Sequence, residues 1–425
     1  MSTERPIVRD PRPLGLKKSF GFGDRLGLAT PGHLESARKF DFAPVFAQQS
    51  IREMQRTERT PEDVMGAARA ALAAEGYTGA WGADADHLKT PDDVRRTAEA
   101  GFCFFTIDPS AYVVNDADRM AGSDLGAAVA AMVKDGTFDD PRWEAEYLSR
   151  AFELPGMPPL RFASVPLRRS AVKYGRAVAH AAVMARHIAS ASAGRPYEIE
   201  VSVDETDSPT SPLEHLFFAL ELKRRGVANV VSLAPRFVGD MEKGIDYRGD
   251  LVEFERCLRQ HVAVARAYGP HKISVHSGSD KFTIYPIVGR VCGDLLHVKT
   301  AGTSYLEALR AVVRTDPALF GEIASFSHGR FATDRATYHI STTETETAGL
   351  PRAGGAADLE RPYLDERPGR QLLHVTFGSV LTQGRRPGGR PFREAILETL
   401  RKHDALHREV LVRHFDHHLE RLNAG

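Results

Sequence analysis

Cysteine is scarce in this 425-residue sequence: Cys103, Cys257 and Cys292 form no CxxC pair, and each stands among apolar neighbours. This usage argues against a disulfide framework and a thiolate zinc site, and it predicts reduced, buried thiols in a cytoplasmic protein. No run of about 18 apolar residues occurs, and the N-terminal stretch has no apolar core segment. We therefore expect neither secretion nor a membrane partner.

Net charge is also missing, since Lys+Arg and Asp+Glu both count 56 and no long block of like charge appears. Nucleic acid is therefore not an expected partner. The patterns GxGxxG and GxxxxGK[ST], which cradle phosphates, are absent, and so is the GxSxG nucleophile elbow. Nucleotide cofactors and serine hydrolase chemistry are accordingly not indicated.

What the sequence does contain is a repeated pattern, in which a short run rich in Val, Ile or Phe ends in polar residues and a helix-patterned stretch follows. The runs predict eight strands: 42–50, 77–86, 101–110, 197–207, 229–237, 271–280, 294–302 and 371–379. The stretches between them predict helices at 61–75, 92–100, 168–192, 212–225, 251–268, 304–315 and 391–403. Residues 1–40, which include GFGDRLGLATPGH, are predicted to form a loop.

Strand-by-strand alternation with helices predicts an α/β fold with a parallel sheet, and eight repeats allow closure into a (β/α)8 TIM-like barrel. An open doubly wound sheet is the alternative. We expect one catalytic domain over residues 1–425. The long stretches 111–167 and 325–370 are assigned to insertions in the βα loops that cover the barrel mouth.

Polar residues follow several of the predicted strands, at the end where barrel enzymes carry their working groups. The second strand ends in Asp86 and His87, the fourth in Asp204 and Glu205. The sixth runs into His276, Ser277 and Lys281. His297 and Lys299 alternate on the seventh strand, and His374 lies on the eighth, so we expect all three side chains to point inward.

A single buried histidine is more often a hydrogen-bonded core residue than a ligand, but several beside adjacent carboxylates form the mixture that divalent metals bind. Glu205, His276 and His374 are the predicted ligands of Zn, Mn, Co or Ni, with His87 or His297 as replacements or proton carriers. Asp86 and Asp204 are candidate general bases or, alternatively, members of structural ion pairs. His414 and His418, one helical turn apart, could bind a metal, but such a pair is more often a solvated helix face, and we interpret it so.

Several strings carry a family resemblance: SFGFGDRLGLATPGH, FAQQSIREM, GADADHLKT, VDETDSPTSPLEH, SLAPRF with EKGIDYRGD, KISVHSGSDKF and HVKTAGTSYLEALR. Together they resemble the tagaturonate epimerase family, from residue 19 into the C-terminal third of the chain. The resemblance implies a metal-dependent enzyme that interconverts D-tagaturonate and D-fructuronate, and relatives that also epimerise free ketohexoses.

The two sugar acids differ at carbon 4 while the ketone is at carbon 2, so the hydrogen on the inverted carbon is not acidic. Retro-aldol cleavage between carbons 3 and 4 solves this, whereas transient oxidation at carbon 4 would need a bound nicotinamide. Lys299, Lys281 and Arg25 are candidate cations for the substrate carboxylate. Ser277 is a candidate for binding a hydroxyl group of the substrate. The rival functions are another metal-dependent sugar isomerase or aldolase, and a non-catalytic sugar-acid-binding protein. Formation of a homo-oligomer is left open.

Overall fold

Eight parallel strands close into a barrel in the computed structural model, which describes residues 9–140 and 142–424. Around the barrel the strands follow the order β1, β10, β9, β8, β7, β4, β3, β2, and a separate antiparallel hairpin joins β5 to β6. The strands are β1 Ser19–Gly23, β2 Ala43–Ser50, β3 Gly82–Leu88, β4 Phe104–Ile107, β5 Phe152–Leu154, β6 Met157–Leu160, β7 Glu198–Val203, β8 Val230–Pro235, β9 Lys272–Val275 and β10 Leu296–Thr300. The predicted barrel is confirmed, and the open doubly wound alternative is wrong.

Helices follow the barrel strands and pack outside them. They are α1 Thr30–Ala37, α2 Ile51–Thr57, α3 Pro61–Ala74, α4 Pro91–Glu99, α5 Gly122–Lys134, α6 Trp143–Leu148, α7 Ser164–Ser192, α8 Pro212–Arg224, α9 Leu251–Tyr268, α10 Tyr285–Cys292, α11 Thr303–Thr315, α12 Pro317–Asp334, α13 Glu344–Ala348, α14 Ala356–Leu364, α15 Arg367–Thr382, α16 Phe392–Lys402 and α17 Asp404–Asn423. In the part of the chain that is described, no helix is both long and apolar enough to cross a membrane.

Three helices begin in the same way, with Thr60, Thr90 or Ser211 as N-cap and proline next. In each, the capping hydroxyl accepts from the third helical N–H while an acidic side chain at that position accepts from the N-cap N–H. Proline fits the first turn because its missing N–H is not needed there. These caps start α3, α4 and α8 close to where the sequence predicts helices.

Two predicted elements are wrong, and they offset one another in the strand count. The first barrel strand, Ser19–Gly23, lies in the predicted N-terminal loop, of which residues 1–8 fall outside the described residues. The predicted eighth strand, 371–379, lies inside helix α15. His374 therefore points from a helix and not from the barrel wall.

The apolar core has two parts. The larger surrounds the barrel and includes Phe20, Phe22, Phe105 and Ile199. The smaller is built from helices α11 to α17 and includes Leu309. Helix α17 also packs against α1, α10 and α11, so the end of the chain returns to the barrel wall. The three cysteines are free and buried, as the sequence predicts.

Candidate active site

A lysine inside the barrel binds three carboxylates at once. Nζ of Lys299 on β10 lies 2.7 Å from Oδ2 of Asp84, 2.8 Å from Oδ1 of Asp86 and 2.8 Å from Oε1 of Glu200. It also donates to Oγ1 of Thr106 at 2.6 Å. All of these side chains are buried, and they come from β3, β4, β7 and β10. Because one ammonium serves three acids, burial and the nearby carboxylates of Asp86 and Glu200 raise the pKa of Asp84 to about 7.

His276 stands directly after β9, above this acidic layer. Its Nε2 lies 2.6 Å from Oε1 of Glu200. Its other nitrogen, Nδ1, lies 3.4 Å from Oδ2 of Asp204, and it has no well-aligned hydrogen bond to any described residue. Asp204 in turn accepts a hydrogen bond from the hydroxyl of Ser202. The imidazole is thus oriented by one carboxylate and leaves one buried nitrogen available.

His87 reaches the same place from β3 through an unusual backbone. Its φ is +56°, in the left-handed region that few residues other than glycine adopt, and the strand register shifts between Ala85 and Leu88. Its Nδ1 bonds Oδ2 of Asp108 at 3.0 Å, and its ring centre lies 5.1 Å from that of His276. Such residues cluster at functional sites, where the surrounding structure must hold the conformation.

The acids around the two imidazoles determine their protonation. Burial opposes a charge on His276, but the carboxylates of Asp204 and Glu200 outweigh it and raise the pKa of His276 to about 10. Burial likewise opposes a charge on His87, but Asp86 and Asp108 raise its pKa to about 9. The acidic surroundings therefore attract positive charge to this point, as protons or as another cation.

The donor set fits a divalent metal. Asp86, His87 and His276 each offer one ligand atom, and these atoms lie within 4.8 Å of one another. Each histidine bonds a carboxylate through its other nitrogen, Asp108 for His87 and Glu200 for His276, an arrangement that commonly orients metal-binding imidazoles. The orphaned Nδ1 of His276 is the buried polar atom that such an ion would satisfy.

Beside these residues is a cavity of about 370 Å³. Its lining includes Arg52, His87, Asp204, Glu205, Lys243, His276, Ser277 and Tyr338. Tyr338, with its neighbours Thr337 and His339, comes from the stretch 325–370 that the sequence assigns to an insertion over the mouth. The volume suits a small polar molecule.

A second acid and histidine cluster has a structural explanation. Oδ1 of Asp280 lies 3.3 Å from Nε2 of His414 and 3.9 Å from Nε2 of His418. However, Nε2 of His418 accepts from the backbone N–H of Asp280 and Nδ1 lies 2.8 Å from the carbonyl of His414, so both nitrogens are used. His418 is fully buried, and the predicted solvated helix face is wrong.

Comparison with known proteins identifies the family of this chain. A family model described as tagaturonate epimerase matches residues 5–422. The tagaturonate/fructuronate epimerase of Thermotoga maritima is 40% identical over 421 residues, which cover 98% of this chain and 84% of that protein. This chain belongs to the tagaturonate epimerase family.

Solved structures of a fructuronate-tagaturonate epimerase from Cohnella laeviribosi are also similar. The native crystal structure superimposes with a TM-score of 0.87 at 37% identity, over 97% of this chain and 83% of that one. A glycerol complex gives 0.88 at 36% identity over the same shares. Membership of the tagaturonate epimerase family confirms the resemblance seen in the sequence and the assignment to the epimerases, a class of isomerases.

The structure gathers some of the predicted site residues in this family member and separates others. Asp86, His87, Asp204 and His276 meet at the barrel mouth, and Glu205 lies at its edge, bound to Arg52 at 3.0 Å. His374 lies elsewhere: its Nε2 is 3.4 Å from Arg25, and burial followed by the charges of Arg25 and Lys243 lowers its pKa well below the usual value. The structure thus does not bring the three predicted ligands Glu205, His276 and His374 together.

Of the remaining predicted residues, three are held by the protein itself. Arg25 is buried against Glu53, and Lys281 donates to the carbonyls of Glu242, Ser279 and Ile245. His297 lies deeper in the barrel than Lys299 and bonds the hydroxyl of Ser19 at 2.9 Å. Burial lowers the pKa of His297 well below its usual value, so it is a neutral core residue here.

Sequence reasoning missed Asp84 and Glu200, which complete the acidic layer, and Lys243, which lines the cavity. A signal for the two acids was present. Asp84 stands two positions before Asp86, and Glu200 stands four positions before Asp204. In each strand the missed acid therefore has the same parity as the predicted one and is expected on the same side.

Proposed function

We propose that this enzyme interconverts D-tagaturonate and D-fructuronate by inverting carbon 4. The observation that carries the proposal is the pair of carboxylate-oriented imidazoles, His87 and His276, beside a cavity of about 370 Å³ at the barrel mouth. The Thermotoga and Cohnella relatives carry names for this activity, at 40% and 37% identity over nearly the whole chain.

We assign the divalent metal to Asp86, His87 and His276, in place of the ligand set predicted from sequence. Zn, Mn, Co and Ni all accept this mixture of imidazole and carboxylate. When bound, such an ion supplies Lewis-acid stabilisation of the negative charge that develops on the ketone side of the substrate. Lys299 holds Asp86 in place through its 2.8 Å contact, and so acts as a positioning residue.

The chemical route that suits these groups is cleavage and re-formation of the bond between carbons 3 and 4. Asp204, which lines the cavity next to His276, takes the proton of the carbon 4 hydroxyl. The bond to carbon 3 breaks, its electrons pass into an enediolate over carbons 2 and 3, and carbon 4 becomes an aldehyde. The aldehyde turns its other face, the bond re-forms and Asp204 returns the proton, so atoms and electrons balance.

Activity on free ketohexoses is a second, weaker element of the proposal. The reacting carbons 2 to 4 are the same in fructose and tagatose, so the imidazole and carboxylate groups would meet them in the same way. The difference lies at carbon 6, which is a carboxylate only in the sugar acids. We expect turnover of ketohexoses to be slower for that reason.

The direct test is to incubate the purified enzyme with tagaturonate and follow fructuronate by NMR, before and after chelation and after addition of each metal. We expect turnover that chelation abolishes and that one of these metals restores. Adding ¹³C-labelled dihydroxyacetone tests the bond cleavage, because label should enter carbons 1 to 3 of the recovered sugar acid. Absence of any fructuronate from the metal-supplemented enzyme would refute the proposal.

A further inference from the structure

The substrate of the proposed reaction carries a carboxylate at carbon 6, and the site must supply a cation for it. The cations predicted from sequence are already engaged. Lys299 binds three carboxylates, Lys281 donates to three backbone carbonyls, and Arg25 is paired with Glu53. Lys299 and Lys281 cannot hold a ligand without leaving a buried partner uncompensated, and Arg25 is not among the described residues that line the cavity.

Lys243 differs from these residues. It follows β8 and lines the cavity, and its Nζ donates to the hydroxyl of Ser277, the residue next to His276. Within the described residues, no carboxylate oxygen lies within 4 Å of this ammonium. A half-buried ammonium with only a hydroxyl partner is an incomplete arrangement, which an anion in the cavity would complete.

The backbone around Lys243 is held firmly while its side chain is left available. Lys281 donates to the carbonyls of Glu242 and Ile245 at 2.9 and 2.6 Å. Gln371 donates to the carbonyl of Lys243 at 3.2 Å, and Arg370 to that of Gly244 at 2.6 Å. Four successive carbonyl oxygens are thus bound by long side chains from other elements. Such support fixes a ligand-binding group in advance and lowers the cost of ordering it.

From this geometry we propose that Lys243, together with the hydroxyl of Ser277, binds the carbon 6 carboxylate and so selects sugar acids over neutral ketohexoses. The inference rests on the proposed function. Binding of this carboxylate would also anchor the aldehyde fragment while its carbonyl group rotates. The fragment of carbons 4 to 6 stays bound through its carboxylate while the aldehyde turns about the bond between carbons 4 and 5, so that it recombines before it escapes.

The test compares Lys243→Met and Lys243→Arg with the wild-type enzyme on tagaturonate. Loss of a charged hydrogen bond corresponds to roughly a 10- to 100-fold rise in KM for Lys243→Met, with a much smaller change in kcat. Lys243→Arg should recover part of the affinity. The inhibition constant of fructose, which has no carboxylate, should change less than threefold. Equal metal content and melting temperature in the variants show that the fold is kept.

Arg236→Met is the matched comparison, because Arg236 lines the same cavity and has no side-chain partner among the described residues. An unchanged KM in Lys243→Met, or a KM rise in Arg236→Met in its place, would overturn the assignment. So would an equal loss of affinity for fructose and tagaturonate. These results are separate from the proposed function, which fails only if the wild-type enzyme itself does not convert tagaturonate.

Discussion

Two groups of buried histidines in this barrel have opposite electrostatic surroundings. The mouth pair, His87 and His276, faces carboxylates on both sides of each ring. The outer chain, His215, His261 and His271, lies behind the barrel wall, where His215 bonds the other two rings and no carboxylate among the described residues pairs with them. Nδ1 of His215 is 3.0 Å from Nδ1 of His261, and its Nε2 is 2.9 Å from Nε2 of His271.

The contrast shows that burial does not decide the charge of an imidazole. Burial disfavours the charged form in both groups, and in the outer chain it lowers the pKa of His261 to about 4 and of His271 to about 3. In the mouth pair the neighbouring acids outweigh burial and raise the pKa of both histidines. The neutral, mutually hydrogen-bonded rings of the outer chain are core residues. The rings of the mouth pair lie in an acidic environment that favours binding of a cation.

The largest expected effect comes from removing one ring of the mouth pair. His276→Ala should abolish metal retention and lower turnover of tagaturonate by more than roughly 10³-fold, because the ligands act as a unit. Elemental analysis and the NMR assay measure both. His215→Ala should keep metal and turnover, and serves as the control. A His276→Ala enzyme with normal activity in the absence of metal would contradict the assignment of the site.

Removal of Lys299 tests whether the acidic layer below the mouth pair is structural. Lys299→Met leaves three buried carboxylates without their cation, so we expect a loss of about 3–5 kcal/mol in the free energy of unfolding. The double variant Lys299→Met, Asp84→Asn should regain part of this loss, since one charge is gone. Denaturant unfolding measures both. A stable Lys299→Met enzyme with only a raised KM would instead favour the substrate-binding role predicted from sequence.

The outer chain should affect stability and not catalysis. His215→Leu leaves one nitrogen of His261 and one of His271 without a partner, which should cost about 1–3 kcal/mol of unfolding free energy. The KM and kcat for tagaturonate should stay within twofold of wild type. A tenfold loss of kcat in a well-folded His215→Leu enzyme would show that the two groups are not separate.

The pH dependence of stability in the metal-free enzyme separates the two groups by its direction. Because His261 and His271 have folded pKa values of about 4 and about 3, the unfolded chain binds more protons below pH about 6.5, and stability falls as the pH drops. His87 and His276, with folded values of about 9 and about 10, bind more protons in the folded state, so their contribution is lost as the pH rises above about 6.5.

Bound metal should remove only the loss of stability at alkaline pH that comes from His87 and His276, since ligands bind the ion in their deprotonated form. Melting curves from pH 5 to 10, with and without metal, measure the difference. Identical alkaline limbs with and without metal would mean that the mouth pair does not bind the ion.

Most of the barrel was predictable from alternation and helix caps, but the two errors have physical reasons. SFGFG reads as a loop because of its glycines, yet a Cβ at Gly23 would lie 2.4 Å from the carbonyl of Thr300, so close packing inside the barrel requires glycine there. QLLHVTFGS reads as a strand because its Val, Thr and Phe favour strands, and packing among the C-terminal helices overrides that preference.

The sequence allowed the site residues to be predicted at the strand ends, but it did not allow us to predict which of their side chains contact one another. Strand parity indicates that Asp86 and Lys299 point inward, but not that Lys299 is shared by three acids. The left-handed backbone of His87 has no signal in its residue type, because it follows from the register shift in β3. Lys243 depends on four carbonyl contacts from distant segments, which no local pattern reveals.

The barrel closes by pairing its first strand with its last: Ser19 lies opposite His297, and Phe20 opposite Val298. On a ribosome that adds about 5–20 residues per second, the partner of β1 emerges tens of seconds after β1 itself. During that interval β1 lacks its β10 neighbour, and the acids of β3 and β7 lack the ammonium of Lys299 that binds them. Synthesis of β10 therefore completes both the wall and its charge balance in a single late event.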